Sequence, residues 1–180
     1  LLMSLQLVKI GMTDAVMFGP DGTNILPASI LYKKNILALR GSFRPVTSVN
    51  MDMYEKSLEM FLNESKVDAD NTLVIFEITL SNLRSEGEID ERDFMDRAEL
   101  LCSLGQYVMI SNFQEYYKVV EYFSSYTKAK INGSEKFTFC VINFSTSHTK
   151  LELLIRVCET CKIVTIFFQS FESISVISIN

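Results

Sequence analysis

Several residues of this chain have types and spacing that could do chemistry, and each also has an ordinary reading. Two short polar pairs, Ser81-Asn82 and Ser111-Asn112, follow predicted strands. Ligands of open α/β sheets bind beyond the carboxyl ends of the strands. The pairs would put four small polar side chains on one rim, beside the N-terminus of a helix predicted over 112–127, where an anion can sit. Asp21, after an earlier strand, could join them. The ordinary reading of all five is capping and turn chemistry.

Glu77 is the one charge inside the apolar run Thr72–Leu80. A lone carboxylate buried there is costly unless paired or protonated, and such a residue can be functional. Equally, it can pair with a base of the 33–44 segment or face water. Lys33, Lys34, Arg40 and Arg44 lie in a stretch from Gly22 to Met51 that holds no acid. They could contact phosphate, arginine as a two-pronged fork and lysine as a point charge. They could also pair with the seven acids between Glu86 and Glu99, or form a solvated face. Cys158-Glu-Thr-Cys161 is a lone CxxC. Zinc would need two further ligands, of which His148 supplies one, and a redox role needs a suitable helix start.

The elements that must position these residues centre on 72–128. The nine residues Thr72–Leu80 are nearly all β-branched, aromatic or leucine, which suits a strand covered on both faces, as in a parallel sheet. Asp90 is placed to cap a helix over 90–104, with Glu91 and Asp93 at the positive end of its dipole. Phe94, Ala98, Leu101 and Cys102 recur at helical spacing, and Gly105 is placed to end the helix in a left-handed turn. Gln106–Ile110 is the next strand. Asn112 and Glu115 then have the spacing of a capping box, and Tyr116, Val119, Val120, Phe123 and Tyr126 form one stripe. Two strands joined by such a helix imply a right-handed crossover and parallel pairing.

Before this unit, the apolar 1–9 stretch reads as a helix end and 14–18 as a short strand. Gly19-Pro-Asp-Gly22 is a turn by composition. A long basic connection follows. Ser48 or Asn50 can cap a helix to about Glu64, with Met51, Tyr54, Leu58 and Phe61 on one face.

The totals bound the class. At 180 residues one domain is the default. A net charge of −5 argues against general nucleic-acid affinity. Four cysteines without a framework read as reduced thiols and a cytoplasmic setting. No apolar run reaches ~18 residues, so no membrane span is predicted. The first ten residues carry Lys9 at the wrong end for a signal peptide. The chain begins with Leu rather than Met, from which a missing N-terminal portion is expected.

After Lys130 the composition changes. All eight Met, all eight Asp and all three Pro lie at or before that position. Phe137–Asn143 and Ile163–Phe168 read as strands, flanking a possible helix from about Thr149 to Cys161. The last stretch, 163–179, is β-prone and nearly uncharged. Either the tail continues the β/α alternation or it is foreign to the domain, as after a frameshift or read-through; the foreign tail is the expectation.

The residues Leu2–Gly22, Leu31-Tyr-Lys-Lys34, Arg40-Gly-Ser-Phe-Arg-Pro-Val-Thr47, Glu86-Gly-Glu-Ile-Asp90 and Ile110-Ser-Asn112 resemble stretches of a family of bacterial proteins several hundred residues long. Its members often carry the label nicotinate-nucleotide adenylyltransferase, and sometimes TonB-dependent receptor. The likeness covers about residues 2–131. It implies an absent N-terminal part, nucleotidyl transfer to nicotinate mononucleotide, and a Mg-nucleotide as cofactor. Adenylyltransferases of that class resemble one another in a His-x-Gly-His element and a later Ser/Thr-rich element ending in Arg. This chain has a single histidine, His148, and neither element. The receptor label needs a membrane β-barrel, against which the three predicted helices speak. Ala15–Thr23 also resembles the haloacid-dehalogenase phosphatase motif, but Gly19 stands where that family's attacking Asp belongs, so no nucleophile is present.

The expectation is therefore an α/β, Rossmann-like layered fold with a mostly parallel sheet, present as an incomplete domain over 1–130, with the tail 131–180 apart. Three functions from different classes remain open: a nucleotide-handling transferase, a non-catalytic domain for a small anionic ligand or nucleotide, and an assembly module. Neither nucleic acid nor a membrane is expected as partner.

Overall fold

Inside the stretch read as a basic connection lies the central strand of the sheet, β3 (Asn35–Gly41). The computed structural model describes residues 2–64, 67–80, 90–127, 138–144, 151–157, 162–168 and 174–178. Around β3 the elements run α1 (Leu2–Lys9), β1 (Ala15–Phe18), β2 (Asn24–Ile25), α2 (Pro27–Leu31), then α3 (Ser48–Leu62), a 3-10 turn (Ala69–Asn71) and β4 (Thr72–Thr79). They continue with α4 (Glu91–Ser103), β5 (Tyr107–Ser111), α5 (Tyr116–Thr127), β6 (Thr138–Phe144), β7 (Leu151–Val157), β8 (Lys162–Phe168) and β9 (Ile174–Ser178).

The nine strands form one sheet in the order β2-β1-β5-β4-β3-β6-β7-β8-β9. β5, β4, β3 and β6 are parallel neighbours. β1 runs antiparallel to β5, and β7 to β9 are joined by antiparallel pairing. The fold is α/β, as expected, but the sheet is mixed rather than mostly parallel, with a parallel centre and antiparallel flanks, and it continues past position 130. The segment read as a possible helix over 149–161 contains a strand instead: Leu151–Val157 pairs with β6 on one side and β8 on the other. A short apolar run is ambiguous between helix and strand until its neighbours are known.

Alternation along the strands divides the core. Leu37, Leu39, Phe76, Ile78, Val108 and Ile110 pack against Leu5 and Val8 of α1, Phe61 of α3, and Phe94, Ala98 and Leu101 of α4. Ile36, Ala38, Ile75 and Met109 face the other way, against Leu31 of α2 and Val119, Val120 and Phe123 of α5. Each Val, Leu, Ile, Met or Phe among them, when fully withdrawn from water, contributes about 1.5–3 kcal/mol. Helices on both faces explain why β4 reads as a continuous apolar run and why Ile36–Leu39 of β3 are apolar without alternation.

The local signals around α4 hold. The Asp90 carboxylate accepts from the Arg92 and Asp93 amides, and Gly105 has φ +81° just past the helix. α3 is capped one residue earlier than expected, by Thr47, with Asn50 reaching back to the Thr47 amide at 2.8 Å. Among the described residues no helix is long and apolar enough to cross a membrane.

Candidate functional site

Three strand ends meet at the carboxyl edge of the parallel sheet. On β3 this is Arg40-Gly41, on β4 Glu77–Thr79, and on β5 Ile110-Ser111. Register pairs Arg40 with Glu77, and Thr79 with Ser111. Side-chain alternation turns Arg40, Glu77, Thr79 and Ser111 to the α2/α5 face. There the Arg40 guanidinium grips the Glu77 carboxylate with two prongs, Nε to Oε2 at 2.9 Å and Nη2 to Oε1 at 2.7 Å. Both residues are buried, Arg40 at 2% exposure and Glu77 at 0%. The Ser111 hydroxyl donates to Glu77 Oε1 at 2.6 Å, and Arg40 Nη1 donates to the Gln114 carbonyl at 3.3 Å. The Thr79 hydroxyl donates to the Phe113 carbonyl at 2.9 Å. Of the readings open for Glu77, the structure selects pairing with a base of the 33–44 segment.

On the opposite face a second arginine serves the loop that leaves β3. Arg97 of α4 is buried and donates from Nη1 to the Ser42 carbonyl at 2.7 Å. Its Nη2 holds Asp93 at 2.9 Å, and Asp93 also meets Arg44 at 3.2 Å. The loop between them is unusual. Phe43 has φ +47°, a left-handed conformation rare for a bulky residue, and the Arg44–Pro45 peptide is cis. Packing holds it there: Phe43 is buried, with its ring 5.4 Å from that of Phe76. This loop and α4 border a shallow groove of about 280 Å³.

The residues singled out from sequence are only partly brought together. Arg40, Glu77 and Ser111 form one cluster, but it is a closed, dry one rather than a rim. Asn112 lies beside it, with its amide donating to the Asp14 carbonyl at 2.9 Å. It does not cap a helix, because α5 begins at Tyr116. Ser111 stays in β5, paired on both sides to Ala15 and Thr79, and Phe113 is buried, so the chain cannot turn into a helix until it has left the sheet. Ser81 and Asn82 lie outside the described residues, as do His148, Cys158 and Cys161.

Asp21 is at the opposite edge. β1 is antiparallel, so its carboxyl end at Phe18 pairs with Val108 at the start of β5. Hydrogen bonds from the Thr23 hydroxyl and then its amide hold the Asp21 carboxyl below its usual range. In the same turn, a Cβ on Gly19 would lie 2.7 Å from Ile25 Cδ1 and 2.9 Å from Asp21 Oδ1, so a side chain there would require those two to shift. The basic residues also separate. Lys34 binds Asn71 at the amino end of β3, whereas Arg40 is at the carboxyl end. At about 3.3 Å per residue they stand roughly 20 Å apart.

Ser42, Phe43, Arg97 and the carbonyls of Phe113 and Gln114 were not legible as site residues. One signal was available for the buried pair: an acid and a base, each the only charge within an apolar run, namely Glu77 in 72–80 and Arg40 in 35–41. It is usable only once both runs are recognised as neighbouring strands. No protein-family model, curated protein or solved structure matches this chain.

Proposed function

We propose that this chain is a nucleotide- or small-anion-binding domain of Rossmann-like type. Its phosphate-bearing ligand sits at the carboxyl edge, between the ends of β3 and β6. The observation that carries this reading is the reversal of strand order at β3. The connection through α3 leads one way, to β4, while the connection through α5 leads back across to β6 on the other side. The two helices cover opposite faces. In open α/β sheets the crevice at such a reversal is where ligands bind.

The chemistry at that edge supports an anion. α3 opens directly after the β3 loop, and the amides of Ser48 and Val49 lie in its first turn, where a helix has no intrahelical acceptors for them. The positive end of the dipole adds to this. Arg44 supplies a half-exposed guanidinium in the same loop. The resemblance to proteins labelled nicotinate-nucleotide adenylyltransferase points to the same ligand class. The reading is one of binding, and no catalytic role is assigned, since the first turn of α3 runs Thr47-Ser48-Val49-Asn50 and these residues hold no His-x-Gly-His. Among the described residues no group of three His, Cys, Asp or Glu could hold a metal. The cysteine usage supports a cytoplasmic setting.

The test is a thermal melt of the whole chain with Mg-ATP, nicotinate mononucleotide, NAD or inorganic phosphate. The expected result is a raised melting temperature with at least one of them; at a hundred times Kd the stabilisation is about 2.7 kcal/mol. Ser48→Glu should abolish the rise while keeping the fold, because its carboxylate suits the helix dipole but repels an anion. No shift with any of the four ligands overturns the reading.

A further inference from the structure

Arg40 and Glu77 place two charges where apolar side chains of similar volume would fit. Both ions are removed from water, and exchanging such a pair for well-packed hydrophobic residues is often neutral or stabilising. Net stability therefore does not account for this pair. Its geometry does. A guanidinium has five N–H donors in a rigid fork. Here two prongs hold Glu77, and Nη1 reaches the Gln114 carbonyl at 3.3 Å. Glu77 in turn accepts from Ser111, the last residue of β5. One buried cluster thus ties together β3, β4, β5 and the 112–115 segment that leads into α5. It lies at the edge where β3 continues as Gly41-Ser42.

We infer that Arg40 is a positioning residue. It fixes the 112–115 segment against the carboxyl edge and, with it, one wall of the ligand crevice. The part concerning the crevice rests on the ligand site proposed above; the part concerning the segment does not. Lysine cannot replace it, because a point charge on a flexible stem does not span a carboxylate and a separate carbonyl in fixed geometry.

Two variants of the full chain test this. Arg40→Lys keeps the charge opposite Glu77 but loses the fork. Arg40→Met/Glu77→Met/Ser111→Ala removes the whole polar cluster without leaving an unpaired ion. Amide hydrogen exchange is followed along the chain, together with the Kd of Mg-ATP. The triple variant is expected to melt within about 3 °C of the wild type. In both variants exchange of amides 112–115 should rise about tenfold while β4 and β5 stay protected. The Kd should weaken about tenfold, as for a site whose binding-competent form has become a minor population. Unchanged exchange at 112–115 in a folded variant overturns the inference, as does exchange that rises equally over all strands. If the triple variant does not fold, Arg40→Lys decides. If the wild type does not bind Mg-ATP, that counts against the proposed site, and the exchange data alone settle the role of Arg40.

Discussion

Arg40 and Arg97 differ in one physical respect that sets their importance. Both are buried, and both reach a backbone carbonyl at the carboxyl edge, Gln114 from one face of the sheet and Ser42 from the other. The Arg40 partner, Glu77, is completely dry, with side-chain exposures of 3% and 0% across the pair. The Arg97 partner, Asp93, is 34% exposed and is shared with Arg44. Deleting Arg40 leaves a fully buried carboxylate without its cation. Deleting Arg97 leaves one that water and Arg44 still solvate. The damage should follow what is left behind more than what is removed.

The largest effect is therefore expected at the dry pair. Arg40→Ala should cost about 3–5 kcal/mol, measured by urea unfolding, as for other broken buried pairs. Glu77→Gln should also destabilise strongly, because it strands the guanidinium; a neutral result would show that the pair contributes nothing beyond packing. Next comes Arg97→Ala, which loses a charged hydrogen bond to Ser42 and should cost about 1.5–3 kcal/mol. If the two arginine deletions cost the same, exposure of the remaining carboxylate is not what separates them.

The smallest effect tests the wet limit of the comparison, at Glu91. Lys9 and then Gln6 donate hydrogen bonds to this partly exposed carboxylate and hold its pKa below the ordinary value. A carboxyl group depressed in the folded state stabilises the protein above its unfolded pKa, and that contribution is lost as pH falls through the folded value. Wild type and Glu91→Gln should therefore differ in melting temperature at pH 6 and converge as pH falls below the ordinary Glu range and through the lower folded value. A difference that persists in acid would mean that the contact does not depend on the Glu91 charge.

Parts of this molecule were legible before any contact was known. The Asp90 cap, the Phe94–Cys102 stripe and the left-handed Gly105 set the limits of α4 because each acts within a turn or two of chain. Parallel pairing of β4 and β5 followed from the helix between them. β3 was hidden for a related reason. Its Ile36–Leu39 core is short, and it is flanked by Lys33, Lys34, Arg40 and two prolines, so local composition resembles a basic connection. The charge of Arg40 is neutralised by a residue 37 positions away, and no local rule anticipates that. The Ser111-Asn112 half of the expected rim was misread in the same manner, while Ser81-Asn82 lie outside the described residues. Ser111 was read as leading into a helix, but strands on both sides keep it in the sheet and Glu77 takes its hydroxyl. Asp21 was assigned to the wrong edge because strand direction belongs to the sheet and not to the strand.

The sequence by itself determined which segments are apolar, where three of the helices lie, and that helices and strands alternate into an α/β fold. Periodicity, caps and turn residues suffice for that, since they operate over a few residues. The order β5-β4-β3-β6, the antiparallel β1, the partner of Glu77 and the left-handed Phe43 were decided only by the tertiary structure. Each depends on which segments share an interior. A buried charge or a strained turn persists only where distant neighbours surround it.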